Sequence, residues 1–333
     1  SSLIGVGSYD DVLGDYGKSS IGGFLGSCKG LLSRLSRIPY ATLTEKGRVE
    51  QEALRVYLRS MIRLLESTAA PSRDPNFYVD ESVGAISAIL ERDTSGKRVE
   101  HILSRLSLLP KFLSTARENL GASPRPAVRR AIVRLRASRP LFQDTLAADL
   151  RTSGHPAASK LGPGAIEGAW QAVSSFADWL EKERLPKAPE AAPLGEGGWR
   201  EWLASREETD LGPAQVLAAA EADLGRLRED LRAAASRITS EKAPGALLAE
   251  ISSGLMEPDV ARNAAVRTIA QLWDWMIRER PITPTSDEII RVRETPAFRR
   301  RDAPVRADLP GGYGRKEGGA FLEIAAPDPD WPP

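Results

Sequence analysis

KRVEHILSRLSLLPKFLSTARENLG, residues 97–121, shows which kind of fold this chain adopts. Its apolar side chains recur at helical spacing and fall on one face, as in an amphipathic helix that packs on a core. Gly121 is suited to ending this helix, and Pro110 is expected to kink it or divide it in two. The apolar stripe consists of Val99, Ile102, Leu103, Leu106, Leu109, Leu113, Ala116 and Leu120.

The same spacing of apolar residues recurs on both sides of this segment. For each stripe, packing in a core is a more common role than lining a cofactor site. In a later helix, Trp273 and Trp275 point to two faces, so at most one of them can fill the same core. The sequence therefore predicts a mainly α protein. The further stripes are Leu54, Tyr57, Leu58, Met61, Leu65; Ile166, Trp170, Val173, Phe176, Ala177, Leu180; and Val216, Leu217, Ala220, Leu224, Leu227, Leu231.

The last part of the chain, from Ser286 to Pro333, departs from the helical period. Residues 289–294 alternate between apolar and charged side chains as a half-buried strand does, and GAFLEIA at 319–325 predicts a second strand. Glycine pairs at 311–312 and 318–319 flank a tight connection. We therefore expect a multi-helix body with a small antiparallel β element near the C-terminus.

Composition along the chain predicts four parts. Residues 1–27 hold seven glycines without a sustained helical period, which is typical of a flexible N-terminal arm. Residues 28–184 are expected to form a helical subdomain, and the proline- and glycine-rich residues 185–198 a linker or a long loop. Residues 199–333 are expected to form helices followed by the β element. The alternative is one continuous helical domain over residues 28–333.

Overall composition excludes several classes of protein. Apolar residues make up 41% and charged residues 27% of the chain, which is typical of a globular protein rather than a disordered one. No run of eighteen apolar residues occurs, so no membrane span is expected. The net charge of +1 gives no long-range attraction for nucleic acid. The chain begins with Ser1, and a removed signal segment would leave no trace, so the compartment is unknown, with the cytoplasm slightly favoured.

Cysteine and histidine, the usual zinc ligands, are scarce. Cys28 is the single cysteine, which rules out an internal disulfide and a cysteine-based zinc site. His101 has Arg105 where a helical metal site usually has a second ligand, so a structural or surface role is the better interpretation. His155 lies before Pro156 with no acidic or histidine partner at ligand spacing, and is expected to be exposed. The sequence predicts no metal ligand and no catalytic residue in this chain.

The arginine-rich helix at 125–136 raises the alternative of nucleic-acid binding. It holds five arginines between Arg125 and Arg136, in alternation with apolar residues. Acidic residues are plentiful elsewhere in the chain, and a solvated helix face is the usual outcome of such a pattern. Nucleic-acid binding is therefore the weaker interpretation, and no nucleic-acid partner is expected.

Several segments together resemble the bacterial "domain of unknown function 885" family. They are LPKFLSTARENLGASPRPAVRRAI, LGEGGWREWLASREETDLGPAQVLAAAEADLGRLREDL, IIRVRETPAF and AAPDPDWPP, and the resemblance covers roughly Arg34 to Pro333. The run RVRETPAF followed by PDPDWPP is its most specific part. The family is similar to zincin-like metallopeptidases of mostly helical build, so the resemblance implies a helical body with a small sheet beside a zinc helix.

The resemblance also implies what this chain lacks. In the family, a helix with His-Glu and then Pro-Gly-His follows a motif like PDPDWPP, and a later Glu completes a zinc site that activates water. No histidine lies beyond His155, and no His-Glu dipeptide occurs. The resemblance therefore implies an N-terminal, truncated part of the family domain. Zinc is implied only for the complete domain, and no cofactor is assigned to this chain.

One binding segment is carried over from the resemblance. In zincins, a strand beside the metal helix pairs with the backbone of the substrate by β-augmentation. The candidate edge strand here consists of Gly319, Ala320, Phe321, Leu322 and Glu323, and an ordinary sheet strand is the alternative interpretation.

The resulting hypothesis is the N-terminal portion of a zinc-dependent peptide hydrolase, inactive alone, with a peptide as substrate once the missing half is present. The alternative is a non-catalytic helical scaffold or peptide-binding module. In either case loss of the other half would expose apolar faces, and we expect the chain to associate with itself or with a partner chain.

Overall fold

The computed structural model describes residues 7–92, 96–191, 193–206, 209, 211–253, 258–281, 290–296, 299–300, 303–309 and 320–325. Over these residues the protein is mainly α, with a small sheet near the C-terminus, which confirms the predicted fold class. The glycine pairs at 311–312 and 318–319, Gly319 of the candidate strand and the PDPDWPP segment lie outside the described residues.

The helices follow one another with short connections, and several are extended by π-helical turns. In chain order they are α1 (Lys18–Ser36), α2 (Glu45–Ile62), α3 (Ala70–Arg73), α4 (Pro75–Val79), α5 (Ala85–Arg92), α6 (Arg98–Asn119), α7 (Arg125–Ala137), α8 (Ala147–Thr152), α9 (Pro156–Trp179), α10 (Gly195–Arg206), α11 (Pro213–Ile238), α12 (Pro244–Ser253) and α13 (Pro258–Glu279).

The main hydrophobic core lies between α4 and α9, with α6 and α9 packed along each other at its centre. All eight residues of the stripe predicted on α6 are buried, which confirms that interpretation. Pro110 does not divide the helix, because α6 is continuous across it. Pro110 lies on the exposed side, where a carbonyl left without an amide partner can bind water.

The N-terminal segment is more ordered than its glycines suggested. Helix α1 begins at Lys18, inside the segment expected to be a flexible arm, so that boundary is wrong. The apolar residues Ile21, Leu25 and Cys28 lie on one side of α1, which packs against α2, and Cys28 is buried. Tertiary packing of this stripe outweighs the low helix propensity of the glycines.

The proline-rich segment at 185–198 contacts the helical body where it leaves α9. Ala188 is buried, and the carbonyl of Pro189 accepts a hydrogen bond from the amide of Arg125 at 2.8 Å. Its first half is therefore held against the start of α7. The division of the chain into two helical parts at this segment stays a prediction.

The sheet has three strands in the described residues: β1 (Ile290–Glu294), β2 (Val305–Asp308) and β3 (Ala320–Ile324), in the order β1-β3-β2. β2 and β3 are antiparallel, whereas β1 and β3 are parallel, so the expectation of a wholly antiparallel element is wrong. The expectation failed because β2 was not anticipated. It is four residues long and begins directly after Pro304, which hides the strand pattern.

Helices contact the sheet from two directions. α13 packs against β1 and β3, and its Arg262 pairs with Glu294 of β1 at 3.3 Å. The C-terminal end of α5 reaches the sheet through Glu91. Among the helices of the described residues, none has the length and apolar content needed to span a bilayer.

Candidate functional site: an acidic cluster behind an edge strand

The strand predicted to bind substrate occupies the centre of the sheet. Residues 320–324 pair with β1 on one side and with β2 on the other. Phe321, Leu322 and Glu323 therefore have partner strands on both sides, and the expectation that this is an edge strand is wrong. Because β2 was missed in the sequence, β3 was left with one apparent neighbour instead of two.

Charged residues are aligned across one face of the sheet. Glu323 of β3 lies in register with Arg293 of β1 and with Arg306 of β2. In the neighbouring row, Phe321 lies in register with Asp308 of β2. The guanidinium of Arg293 also lies over the ring of Phe321, 4.1 Å from its centroid. Arg293 is therefore held by contacts with both rows.

Three carboxylates converge on Arg293. Its Nη2 atom lies 2.6 Å from Oε1 of Glu323, 3.2 Å from Oδ2 of Asp308 and 3.8 Å from Oε2 of Glu91. The second cation of the group, Arg299, contacts the same oxygen of Glu91 at 2.9 Å. We call these five residues the acidic cluster. It joins α5 to all three strands, across 208 residues of sequence in the case of Glu91 and Arg299.

The acidic cluster is largely removed from water. The side chain of Glu323 is fully buried, and those of Asp308 and Arg299 are more than nine-tenths buried. Three carboxylates face two guanidinium groups, so the formal charge of the cluster is −1 when all are ionised. Among the described residues, Oε1 of Glu91 and Oε2 of Glu323 have no hydrogen-bond partner. The cluster thus has more acceptors than donors.

Burial raises the pKa of Glu91 above its ordinary value of 4.5. Arg299 opposes this shift, while Asp308 and Glu323 add to it through charge repulsion. A raised pKa means that the folded protein binds the proton more tightly than the unfolded chain does. Glu91 is therefore the residue of this cluster on which an extra proton would relieve the excess negative charge.

This shift predicts a pH dependence of stability. The contribution of Glu91 is fully present below its unfolded pKa, near 4.5, and is lost as pH rises through the higher folded pKa. We expect the advantage of the wild type over Glu91→Gln in unfolding free energy to shrink as pH rises from 4 towards 7, measured by urea denaturation. An advantage that grows over this range would contradict the assignment.

The sheet edge available to a ligand is that of β2 rather than β3. The amide of Ala325 donates to the carbonyl of Pro304 at 2.9 Å, which makes this a hydrogen-bonded pair of the antiparallel ladder. Such pairs alternate along the ladder, so the backbone groups of Val305 and Ala307 point away from β3. Both residues are exposed, and in the described residues no further strand pairs with β2.

The residues described here do not fit a zinc site. His101 belongs to α6, whereas the imidazole of His155 caps α9 by accepting a hydrogen bond from the amide of Ala157 at 3.2 Å. The expectation that His155 is exposed is wrong, since its side chain is partly buried and its Nε2 atom lies 3.8 Å from Oε1 of Glu100. In the described part of the chain, three potential metal ligands converge in the acidic cluster, the carboxylates of Glu91, Asp308 and Glu323. No histidine belongs to this group. These carboxylates already pair with the guanidinium groups of Arg293 and Arg299.

Two other regions have some features of a binding site. A cleft of about 730 Å³ between α1 and α2 is lined by apolar residues such as Leu35 and by Arg55 and Arg59. It is open to solvent and brings no group of potential metal ligands together. On α7, Arg125, Arg134 and Arg136 each pair with an acidic residue, which reduces the positive charge of the predicted basic patch. The sheet region remains the better candidate.

The fold and the site define a mainly helical protein with a small mixed sheet buttressed by buried charges. The chain belongs to the family described as "Bacterial protein of unknown function (DUF885)", whose model matches residues 1–329. This confirms the family resemblance and extends it to nearly the whole chain. No significant match was found among curated proteins.

A solved structure has the same fold. It is a candidate lipoprotein of unknown function from Shewanella oneidensis, with 19% sequence identity and a TM-score of 0.71. The match covers 98% of this chain and 61% of that protein, so the chain spans less than two thirds of the relative's length. At this identity the similarity establishes the fold alone.

Little in the sequence predicts the acidic cluster. Of its members, Glu323 was among the predicted site residues, whereas Glu91, Arg293, Arg299 and Asp308 were not. The alternation in residues 289–294 could have placed Arg293 on the charged face of a strand. No local pattern links Glu91 to residues more than two hundred positions later.

Proposed function

We propose that this chain is the N-terminal, peptide-binding portion of a zinc-dependent peptide hydrolase, and that an extended peptide pairs with the outer edge of β2. The observation that carries the proposal is the exposed edge at Val305 and Ala307, whose amides and carbonyls point away from β3. An extended peptide can add a strand at such an edge, with affinity from main-chain hydrogen bonds.

The acidic cluster supports this role by fixing the position of β2. Asp308, the last residue of β2, is 6% exposed and contacts Arg293 of β1. A buried anchor of this kind keeps the short strand in place, so that little ordering is needed when a peptide binds. In this proposal Ala320, Phe321, Leu322 and Glu323 act through their support of β2 and not by direct pairing with substrate.

The hydrolase part of the proposal rests on the family resemblance and on the length of the relative. The two histidines of this chain do not fit a zinc site, so the catalytic residues would belong to a part of the protein that this chain does not include. The match leaves 39% of the similar solved structure uncovered. We therefore expect this chain to bind a peptide without cleaving it.

A non-catalytic scaffold or peptide-binding module is the alternative function. The same edge of β2 would support it, because peptide pairing needs no metal ion. The two functions differ in the coding sequence that follows Pro333. A downstream His-Glu and Pro-Gly-His pattern would support the hydrolase, and its absence in every reading frame would leave the binding module.

Peptide pairing is tested by a single substitution on β2. Ala307→Pro removes an amide that points away from β3, at an edge position where the sheet tolerates proline. We expect this variant to bind a fluorescein-labelled hexapeptide of alternating threonine and valine about tenfold more weakly, since it loses at least one main-chain hydrogen bond and blocks close approach. Fluorescence anisotropy measures the affinity.

Ala307→Ser is the matched control, because it keeps the amide and the size of the residue. It is expected to bind the hexapeptide as the wild type does. Equal affinities of the wild type and Ala307→Pro would refute pairing at β2. Peptide cleavage by this chain, or stoichiometric zinc in elemental analysis, would contradict the separation of binding from catalysis.

A further inference from the structure

A second cleft lies where the connection from α6 to α7 meets the end of α9. It has a volume of about 310 Å³, at the lower end of the range for small-molecule sites. Its walls belong to the helical body, so the peptide pairing proposed at β2 does not use it. We call it the α7 cleft, and it is lined by residues 121–123, Val128, Arg184, Lys187 and Ala188.

Two basic residues line the α7 cleft without a compensating acid. Arg184 ends the π-helical turn that extends α9, and Lys187 ends the short turn that follows. Among the residues that the structure describes, neither forms an ion pair with a carboxylate, and no acidic residue lines the cleft. The guanidinium of Arg184 lies over the ring of Trp179, 5.5 Å from its centroid, which restrains the side chain. The cleft is therefore attractive to an anion.

A buried hydroxyl group in the α7 cleft indicates that a ligand binds there. Ser123 is 4% exposed and lines the cleft, yet in the described part of the chain its Oγ atom has no hydrogen-bond partner. Buried hydroxyl groups normally form a hydrogen bond, because leaving one unpaired costs free energy. The basic residues alone would not require a ligand, since cations are also favoured at the C-terminal end of a helix such as α9. The hydroxyl of Ser123 is the independent observation.

The start of α7 adds a hydrogen-bond donor beside the cleft. Pro126 has no N–H, and the amide of Ala127 has no main-chain partner within the described ranges. Unpaired amides and the helix dipole favour an anion at the N-terminus of a helix. Ser123 and Val128, which lie on either side of this helix start, both line the cleft.

We propose that the α7 cleft binds a phosphate group, as inorganic phosphate or as the phosphate ester of a small metabolite. The hydroxyl of Ser123 and the cations of Arg184 and Lys187 come from different elements around the cleft. A phosphate group has three free oxygens and close to two negative charges near pH 7, so it can accept from all three side chains. A carboxylate has two oxygens and one charge. The volume of the cleft leaves room for a few further atoms of an ester.

Isothermal titration calorimetry of the whole chain with sodium phosphate, near pH 7 and at constant ionic strength, tests this site. We expect saturable binding of one phosphate per chain. Glycerol 3-phosphate distinguishes the two sources, since it should bind more tightly than phosphate if the ligand is an ester and more weakly if it is the free ion. Sodium acetate should bind about tenfold more weakly than phosphate. Absence of saturable phosphate binding, or acetate binding as tight as that of phosphate, would overturn the proposal.

Substitutions in the cleft locate the bound ion. Arg184→Gln should raise the dissociation constant for phosphate about tenfold, and Lys187→Gln, at an exposed position, about fivefold. Ser123→Ala should raise it about threefold while the thermal midpoint of the free protein stays the same or rises, because no hydrogen bond within the protein is lost. A purely structural role of Ser123 predicts the opposite, a lower midpoint with unchanged phosphate affinity.

Lys182→Gln is the matched control. Lys182 belongs to the same π-helical turn as Arg184, is exposed and pairs with Asp178 at 3.8 Å, and it does not line the cleft. This variant removes the same charge and should leave the dissociation constant unchanged. If Lys182→Gln weakened phosphate binding as much as Arg184→Gln does, or if Arg184→Gln and Ser123→Ala bound as the wild type does, the ion would not be held in the α7 cleft and the proposal would fall.

Discussion

Replacement of Arg293 by methionine is expected to lower the free energy of unfolding by about 3–5 kcal/mol, the cost of leaving buried charges without their partner. Arg293 contacts Glu323, Asp308 and Glu91 through one nitrogen atom. Glu323 is fully buried and cannot recover hydration when the guanidinium is removed. The expected result is a lower midpoint in urea denaturation at pH 7, with loss of the protection of the strand amides from hydrogen exchange.

Arg291→Met provides the control, because Arg291 lies two residues earlier on the same strand and is exposed. Its effect should stay within about 0.5 kcal/mol, as for most surface substitutions. Adding Glu323→Gln to Arg293→Met removes one of the orphaned charges, and the double variant should be more stable than Arg293→Met alone. If Arg293→Met cost no more than Arg291→Met, the acidic cluster would not stabilise the sheet.

Replacement of Phe176 by alanine is the second substitution with a large expected effect. Phe176 is fully buried on α9 and stacks on Trp179, with 5.6 Å between the ring centroids. Removal of a buried aromatic ring costs about 3–5 kcal/mol, since it loses the transfer free energy and leaves a cavity. Urea denaturation should show this loss, and the fluorescence of Trp179 should change because its stacking partner is gone.

Gln171→Ala is the control, because it changes a residue of the same helix that lies outside the core. Gln171 is exposed and bonds to Glu167 one turn earlier, so its replacement should change stability by no more than about 0.5 kcal/mol. Similar losses for Phe176→Ala and Gln171→Ala would mean that α6 and α9 do not form the principal core.

These two substitutions also separate two kinds of stabilisation. The core around Phe176 is local in sequence, within α4 to α9, and its hydrophobic stabilisation depends little on pH. The acidic cluster joins α5 to strands more than two hundred residues later, and its charges make it sensitive to pH. A change of pH should therefore lower the protection of the strand amides from hydrogen exchange before it lowers that of the helix amides.

The stripe predicted at the centre of the core was confirmed, whereas Leu54 and Tyr57 of the stripe predicted on α2 are exposed. The stripe from Val99 to Leu120 is buried because the helical period places all of its members on one side, whatever lies opposite. Predictions that depended on which element packs against a helix were less successful. Leu224 and Leu227 form an equally good stripe, and the sequence predicted them to be buried, yet they are about half exposed. Period identifies the apolar face of a helix, but it cannot say which partner covers it.

The same limit applies to the candidate site. The alternating residues 289–294 and the apolar run at 320–324 were sufficient to predict strands, because side-chain alternation is a property of one strand. Their order and direction were not predictable, since pairing depends on backbone groups that every residue has. Insertion of the short strand β2 beside β3 therefore moved the free edge from Ala320–Glu323 to Val305–Asp308.

Residue types and local spacing were sufficient to predict the mainly α class, the family, the stripe that forms the core and the scarcity of histidine and cysteine. The central place of β3, the exposed edge of β2 and the convergence of three carboxylates on Arg293 are visible only in the folded chain. Those features depend on contacts between segments far apart in the chain. The free energy of a group of buried charges depends on their distances and burial in the folded chain, and no local sequence pattern specifies these.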